Sequence, residues 1–133
     1  MDFAGRDLSL KAAIRSYFEV LYSCDLDRFD TLFHPACILF TISDGVETIL
    51  DVPTYREILS KRLSPQSQNQ PRLEDMLEVI HLAADIALVS LRVRVGDKVF
   101  RDHLHFAHGA NGWTVVNKTY TLERMVGDAP QTT

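Results

Sequence analysis

Cysteine is scarce in this chain, with only Cys24 and Cys37 among 133 residues. The two have neither the spacing of a metal-ligand set nor a neighbouring partner motif, and two thiols make no disulfide framework, so both are expected as buried, reduced side chains. Positive charge is also short: 14 Lys and Arg stand against 18 Asp and Glu, for a formal net charge of −4. The strongly basic domain or stripe of a nucleic-acid binder is therefore missing. No apolar run approaches the roughly 20 residues of a membrane span, and the first residues lack a basic stretch followed by an apolar one. A soluble, cytoplasmic protein without nucleic-acid or membrane partners is expected. There is no phosphate-binding glycine loop, no Gly-x-Ser-x-Gly elbow, no Cys-x-x-Cys pair and no dinucleotide fingerprint, which argues against a nucleotide-driven enzyme. No cofactor and no metal are expected, and there are no internal repeats.

What is present suits one globular domain over residues 1–133, with a core from about 7 to 122: 46% of the residues are hydrophobic and 24% charged. Asp7 is positioned to cap a first helix in which Leu10, Ala13, Ile14, Tyr17, Phe18 and Leu21 recur at helical spacing. Asp25 to Phe33 repeats the pattern in a shorter helix that should end at His34-Pro35, where proline disfavours helix at the preceding residue. His34 itself suits a hydrogen-bonded corner. Cys37 to Ser43 and Glu47 to Asp51 flank Asp44-Gly45, a tight-hairpin signal. A third helix is expected from Pro53, burying Tyr55, Ile58 and Leu59, with Leu63 as a further candidate. Ser64 to Pro71 has two prolines and no apolar anchor, which predicts a mobile surface loop serving as a connection, linker or lid. Strands follow over Met76–His81, Ile86–Val95, Val99–His108 and Trp113–Thr121, with a frayed tail from Val126.

The last two strands form a long hairpin around Gly109-Ala110-Asn111-Gly112 and carry most of the candidate site chemistry. If His108 pairs with Trp113, strict alternation puts Phe100, Asp102, Leu104, Phe106, Trp113, Val115, Asn117 and Thr119 on one face. That face is apolar near the turn and polar further on, as expected of a core that opens into a small cavity. The other face then carries Val99, Arg101, His103, His105, Val116, Lys118 and Tyr120. A one-residue slip would exchange the two faces and send His103 and His105 into the pocket.

Asp102 between Phe100 and Leu104 would be partly desolvated, which suits a general acid or base; alternatively it accepts hydrogen bonds from Thr119 and a helix residue such as Tyr17 or Tyr55 and closes the core. Asn117 and Thr119 are placed to polarise a substrate carbonyl or to hold that carboxylate. The candidate ligand-binding set is Tyr17, Phe33, Tyr55, Asp102, Leu104, Trp113, Asn117 and Thr119. Candidate catalytic residues are Asp102 and, only with a different register, His103. The aromatics among these are core residues first and pocket lining where the core stays open. His103-x-His105 has the same-face spacing of a zinc pair, but Arg92, Arg94, Arg101 and Lys118 share that face and disfavour a cation. Arg92, Arg94, Arg101, His103, His105, Lys118 and Tyr120 are instead candidates for an interface.

Helices leading into a curved, mainly antiparallel sheet make an α+β fold in which about three helices cover the concave side and leave a cone with a mouth. This order of elements, over about residues 7 to 122, resembles the nuclear transport factor 2-like (SnoaL-like, cystatin-like) superfamily. Tyr22 followed by the stretch Asp25 to Ala36, with Phe100-Arg-Asp-His-Leu104 and Gly112-Trp-Thr-Val-Val-Asn-Lys118, is similar to its branch called putative lumazine-binding proteins. The resemblance implies a conical pocket and dimerisation through the convex sheet face. It does not imply one activity, because this fold hosts isomerases, dehydratases, cyclases and binders. The expected function is binding of an apolar or aromatic small molecule by a homodimer. The alternatives are a cofactor-independent isomerase or dehydratase and a non-catalytic association domain.

Overall fold

A computed structural model describes residues 3–128. Helix α1 (Phe3–Ser23) buries Leu10, Ile14, Tyr17, Phe18, Val20 and Leu21. It begins ahead of Asp7, so Asp7 does not cap it. Its carboxylate instead lies 3.0 Å from Lys11 and 3.1 Å from His81, and these hydrogen bonds, Lys11 first, hold it below the usual carboxylate range. Helix α2 (Leu26–Leu32) is capped by Asp25, which accepts from the Arg28 amide at 3.1 Å. Strand β1 (Phe33–Ser43) starts directly at Phe33, ahead of the His34-Pro35 corner, where His34 Nδ1 accepts from the Ala36 amide.

Asp44 and Gly45 both take positive φ, 50° and 78°, the geometry of a tight turn matched to strand twist, and lead into β2 (Val46–Asp51). Asp51 caps α3 (Val52–Lys61) by accepting from the Thr54 amide. This helix buries Tyr55 and Leu59, but Ile58 is 39% and Leu63 73% exposed, contrary to the pattern-based expectation. Leu63 falls beyond the end of the helix, and Ile58 stands at the mouth of a cavity. The segment after α3 is anchored after all. Pro65 is buried, the Gln68 and Gln70 amides return to its carbonyl, and the Tyr22 hydroxyl donates to the Gln70 carbonyl at 3.0 Å.

Strands β3 (Glu74–Ala83), β4 (Ile86–Val95), β5 (Lys98–Gly109) and β6 (Gly112–Met125) complete a curved six-stranded sheet of order β2-β1-β6-β5-β4-β3. Only β1 and β6 run parallel; the other neighbours are antiparallel. The molecule is an α+β cone with its helices on the concave face. Leu39, Val89, Leu91, Leu104, Phe106 and Val115 pack there against Leu10, Ile14, Tyr17 and Phe29. After β6, Val126 to Asp128 form a turn in which the Val126 amide donates to the Asp97 carbonyl, so the expected fraying does not begin at Val126. The rest of that tail lies outside the described residues.

Candidate functional site

The hairpin pairs as expected at its turn, His108 with Trp113, and then departs from strict alternation. Phe106 pairs with Val115, but His105 pairs with Asn117, leaving Val116 as one extra residue in β6. Such a bulge reverses the facing of everything beyond it on its own strand only. Asn117 and Thr119 therefore sit opposite His105 and His103 on the convex face, while Lys118 and Tyr120 sit opposite Leu104 and Asp102 on the concave face. The alternation-based assignment of these four residues is thus corrected. β5 keeps its register, so His103 and His105 stay outside.

The inward turn of Lys118 and Tyr120 builds a cavity of about 260 Å³. Its floor and walls are Phe100 and Asp102 of β5, Lys118 and Tyr120 of β6, Val93 and Val95 of β4, and Thr48 and Leu50 of β2. Leu21 of α1, Tyr55 and Ile58 of α3, and Arg62 just past α3 close it. The Tyr17 hydroxyl donates to Asp102 Oδ2 at 2.5 Å, and Lys118 Nζ lies 3.8 Å from the same oxygen. Lys118 Nζ also donates to the Tyr55 hydroxyl at 3.3 Å and sits 5.0–5.3 Å from the ring centres of Tyr17, Tyr55 and Tyr120. Asp102 Oδ1 is buried without a partner among the described residues.

Burial opposes charge on Lys118, but the Tyr55 hydroxyl, Asp102 and Tyr120 more than offset it, so the ammonium is held above its usual range. Burial, and then the adjacent Asp102 charge, push the Tyr17 phenol well above its usual range, keeping it a neutral donor. Burial likewise pushes the nearby Cys37 thiol up to about 11, so it is no nucleophile. Arg62 makes no side-chain hydrogen bond or ion pair among the described residues.

Of the residues singled out from the sequence, Tyr55 and Asp102 line the cavity and Tyr17 stands behind Asp102. Phe33 is instead stacked on Phe29, with ring centres 4.4 Å apart, and Leu104 is fully buried under the helices. Trp113 lies at the closed end, where its Nε1 donates to Ser9 Oγ at 2.9 Å. None of these three lines the cavity. Arg92, Arg94, Arg101, His103 and His105 share the convex face. There Glu123 holds Arg92 through two hydrogen bonds, of 2.5 and 3.0 Å, and Arg101 lies 3.4 Å from the same carboxylate. His81 faces the concave side and does not join His103 and His105. Sequence reasoning missed Lys118, Tyr120 and Arg62 as cavity residues. The adjacent valines Val115-Val116, which interrupt an apolar-polar alternation, were the only local trace of the bulge.

The fold is shared with several solved structures. A protein of unknown function described as NTF2-like, from Shewanella baltica OS155, superposes with a TM-score of 0.80 at 13% identity, covering 93% of this chain and 98% of its own. A cystatin-like fold protein from Burkholderia xenovorans LB400 gives 0.71 at 19% identity, covering 92% and 95%. The S. rosetta CaMKII hub gives 0.66 at 12% identity, covering 86% and 94%. No curated protein matches the sequence. Residues 6–121 match the model of the family described as putative lumazine-binding, a span that holds α1 from its fourth residue onward, α2, α3 and every residue of the cavity. With the cone and its bulged last strand in place, and with a fold like that of the NTF2-like structures, the chain belongs to that family.

Proposed function

We propose that this protein binds a small apolar or aromatic molecule in the mouth of its cone. The observation that carries this reading is the cavity itself, with apolar walls converging on a few polar groups, the usual composition of a ligand site. The description of its family as putative lumazine-binding supports the same class of function. Ile58, half exposed at the mouth, gives a direct test. Ile58→Trp should fill the entrance and abolish the ligand-induced rise in thermal midpoint while leaving the free protein's midpoint within a few degrees. An equal ligand-induced rise in both proteins would move binding elsewhere.

A second reading, an isomerase or dehydratase, is supported by Asp102, whose unpartnered Oδ1 belongs to a cavity-lining carboxylate and could accept a substrate proton. Asp102→Asn separates the two, because it abolishes turnover under that reading and only weakens affinity under the first.

We further propose that the protein is a homodimer through the convex face. There Ile38, Ile42 and Ile49 are 40%, 53% and 59% exposed beside the Arg92–Arg101–Glu123 cluster. Lys118 and Tyr120, facing inward, are not part of that surface. Ile42→Lys should halve the mass seen by light scattering; an unchanged mass would exclude this face.

A further inference from the structure

The polar groups of the cavity are strongly unbalanced between donors and acceptors. Lys118 offers three N–H donors, of which one is used, toward Tyr55. Arg62 offers five, none of them used among the described residues. The hydroxyl hydrogens of Tyr55 and Tyr120 have no acceptor among the described residues either. Against these donors stands one free acceptor on a charged group, Asp102 Oδ1. A buried ammonium with unspent donors in an apolar enclosure is costly unless something accepts from it. The charge is unbalanced in the same direction, with two cations and one carboxylate on the same cavity wall. The excess is a single positive charge, although the whole chain is net negative.

Resting on the binding function proposed above, we infer that the cavity takes a small organic acid as its monoanion. The carboxylate accepts from Lys118 and Arg62, and an apolar or aromatic body lies against Val93, Val95 and Phe100. Asp102 sets two further limits. Its charge disfavours a dianion such as a phosphate ester, and its open Oδ1 favours a ligand with a hydroxyl or N–H donor. The cavity, of about 260 Å³, has room for a small ring-bearing acid.

The test is a pair of probes of one shape, 4-hydroxybenzoate and 4-hydroxybenzamide, titrated at pH 7 by calorimetry, with lumazine as a third probe. The acid should bind at least tenfold tighter than the amide, the range expected for hydrogen bonds to charged groups. Arg62→Gln, at a partly exposed position outside the core, should remove most of that preference without changing the thermal midpoint. Lys118→Met should remove it too, but it also breaks a buried pair, so the arginine variant carries the decision. Equal affinity for acid and amide would overturn the anion inference and leave the pocket as a neutral-ligand site. Tight lumazine binding, unaffected by Arg62→Gln and with no acid preference, would overturn it in favour of the pteridine in the family's description. Binding of none of the three would overturn both this inference and the binding function beneath it.

Discussion

Lys118→Met should destabilise the protein by about 3–5 kcal/mol, because it leaves the buried Asp102 carboxylate without its cation. Lys118 and Asp102 are 5% and 1% exposed, so bulk solvent screens their pairing little. The corresponding drop in thermal midpoint is roughly 10–20 °C for a domain of this size. Asp102→Leu should be comparably damaging, since it orphans both the ammonium and the Tyr17 hydroxyl. The triple variant Tyr17→Phe, Asp102→Leu, Lys118→Met removes the charges and the hydroxyl together. It should recover most of the loss, as apolar replacements of buried pairs often do. If the triple variant is no more stable than the singles, the cluster is not acting as one electrostatic unit.

The same cluster sets an alkaline limit. Lys118 and Tyr17 both have folded-state affinities for their protons above the unfolded values of 10.5 and 10.0. Their contribution is therefore complete below about pH 10 and is lost as pH rises through the folded values. Urea denaturation at pH 7, 9 and 11 should show a fall confined to the last step and a smaller fall in the triple variant.

Deletion of Val116 should act in the opposite way, sparing the site. With the extra residue gone, strict alternation from Val115 puts Asn117 and Thr119 on the convex face and Lys118 and Tyr120 on the concave face, the facing they already have. The His105–Asn117 and Leu104–Lys118 pairs and the Leu39–Lys118 neighbours across the parallel ladder are all kept. The deletion should therefore keep cavity binding and cost much less than Lys118→Met, by urea denaturation. A loss as large as that of Lys118→Met, together with loss of binding, would show that the bend and twist of the bulge, and not only its shift of facing, hold Lys118 against Asp102.

Much of the fold was legible because its signals are local. The helical stripe of Leu10, Ile14, Tyr17, Phe18 and Leu21, the Asp44-Gly45 turn and the Gly109 to Gly112 turn each depend on a few adjacent residues. Asp102 was legible as an inward-facing carboxylate because β5 keeps perfect alternation from Phe100 to Phe106. The possibility that a helix tyrosine would hold it was also legible, and Tyr17 does so. Asp7 was misread because a capping side chain and a mid-helix carboxylate that reaches across to His81 look alike in sequence. The anchoring of Ser64 to Pro71 was missed because its partner, Tyr22, is remote in the chain.

By itself, the sequence determined the α+β order of elements, the positions of the tight turns, and an inward Asp102 in a mostly apolar strand, all consequences of periodicity and turn chemistry within short windows. Only the tertiary structure decided that Lys118 and Tyr120, not Asn117 and Thr119, complete the cavity, and that Arg62 joins them from beyond α3. The physical reason is that one unpaired residue in one strand inverts the facing of the stretch that follows it, here Asn117 to Leu122. Whether a strand accommodates such a bulge is settled by its neighbours, here β1 and β5, rather than by its own pattern of residues.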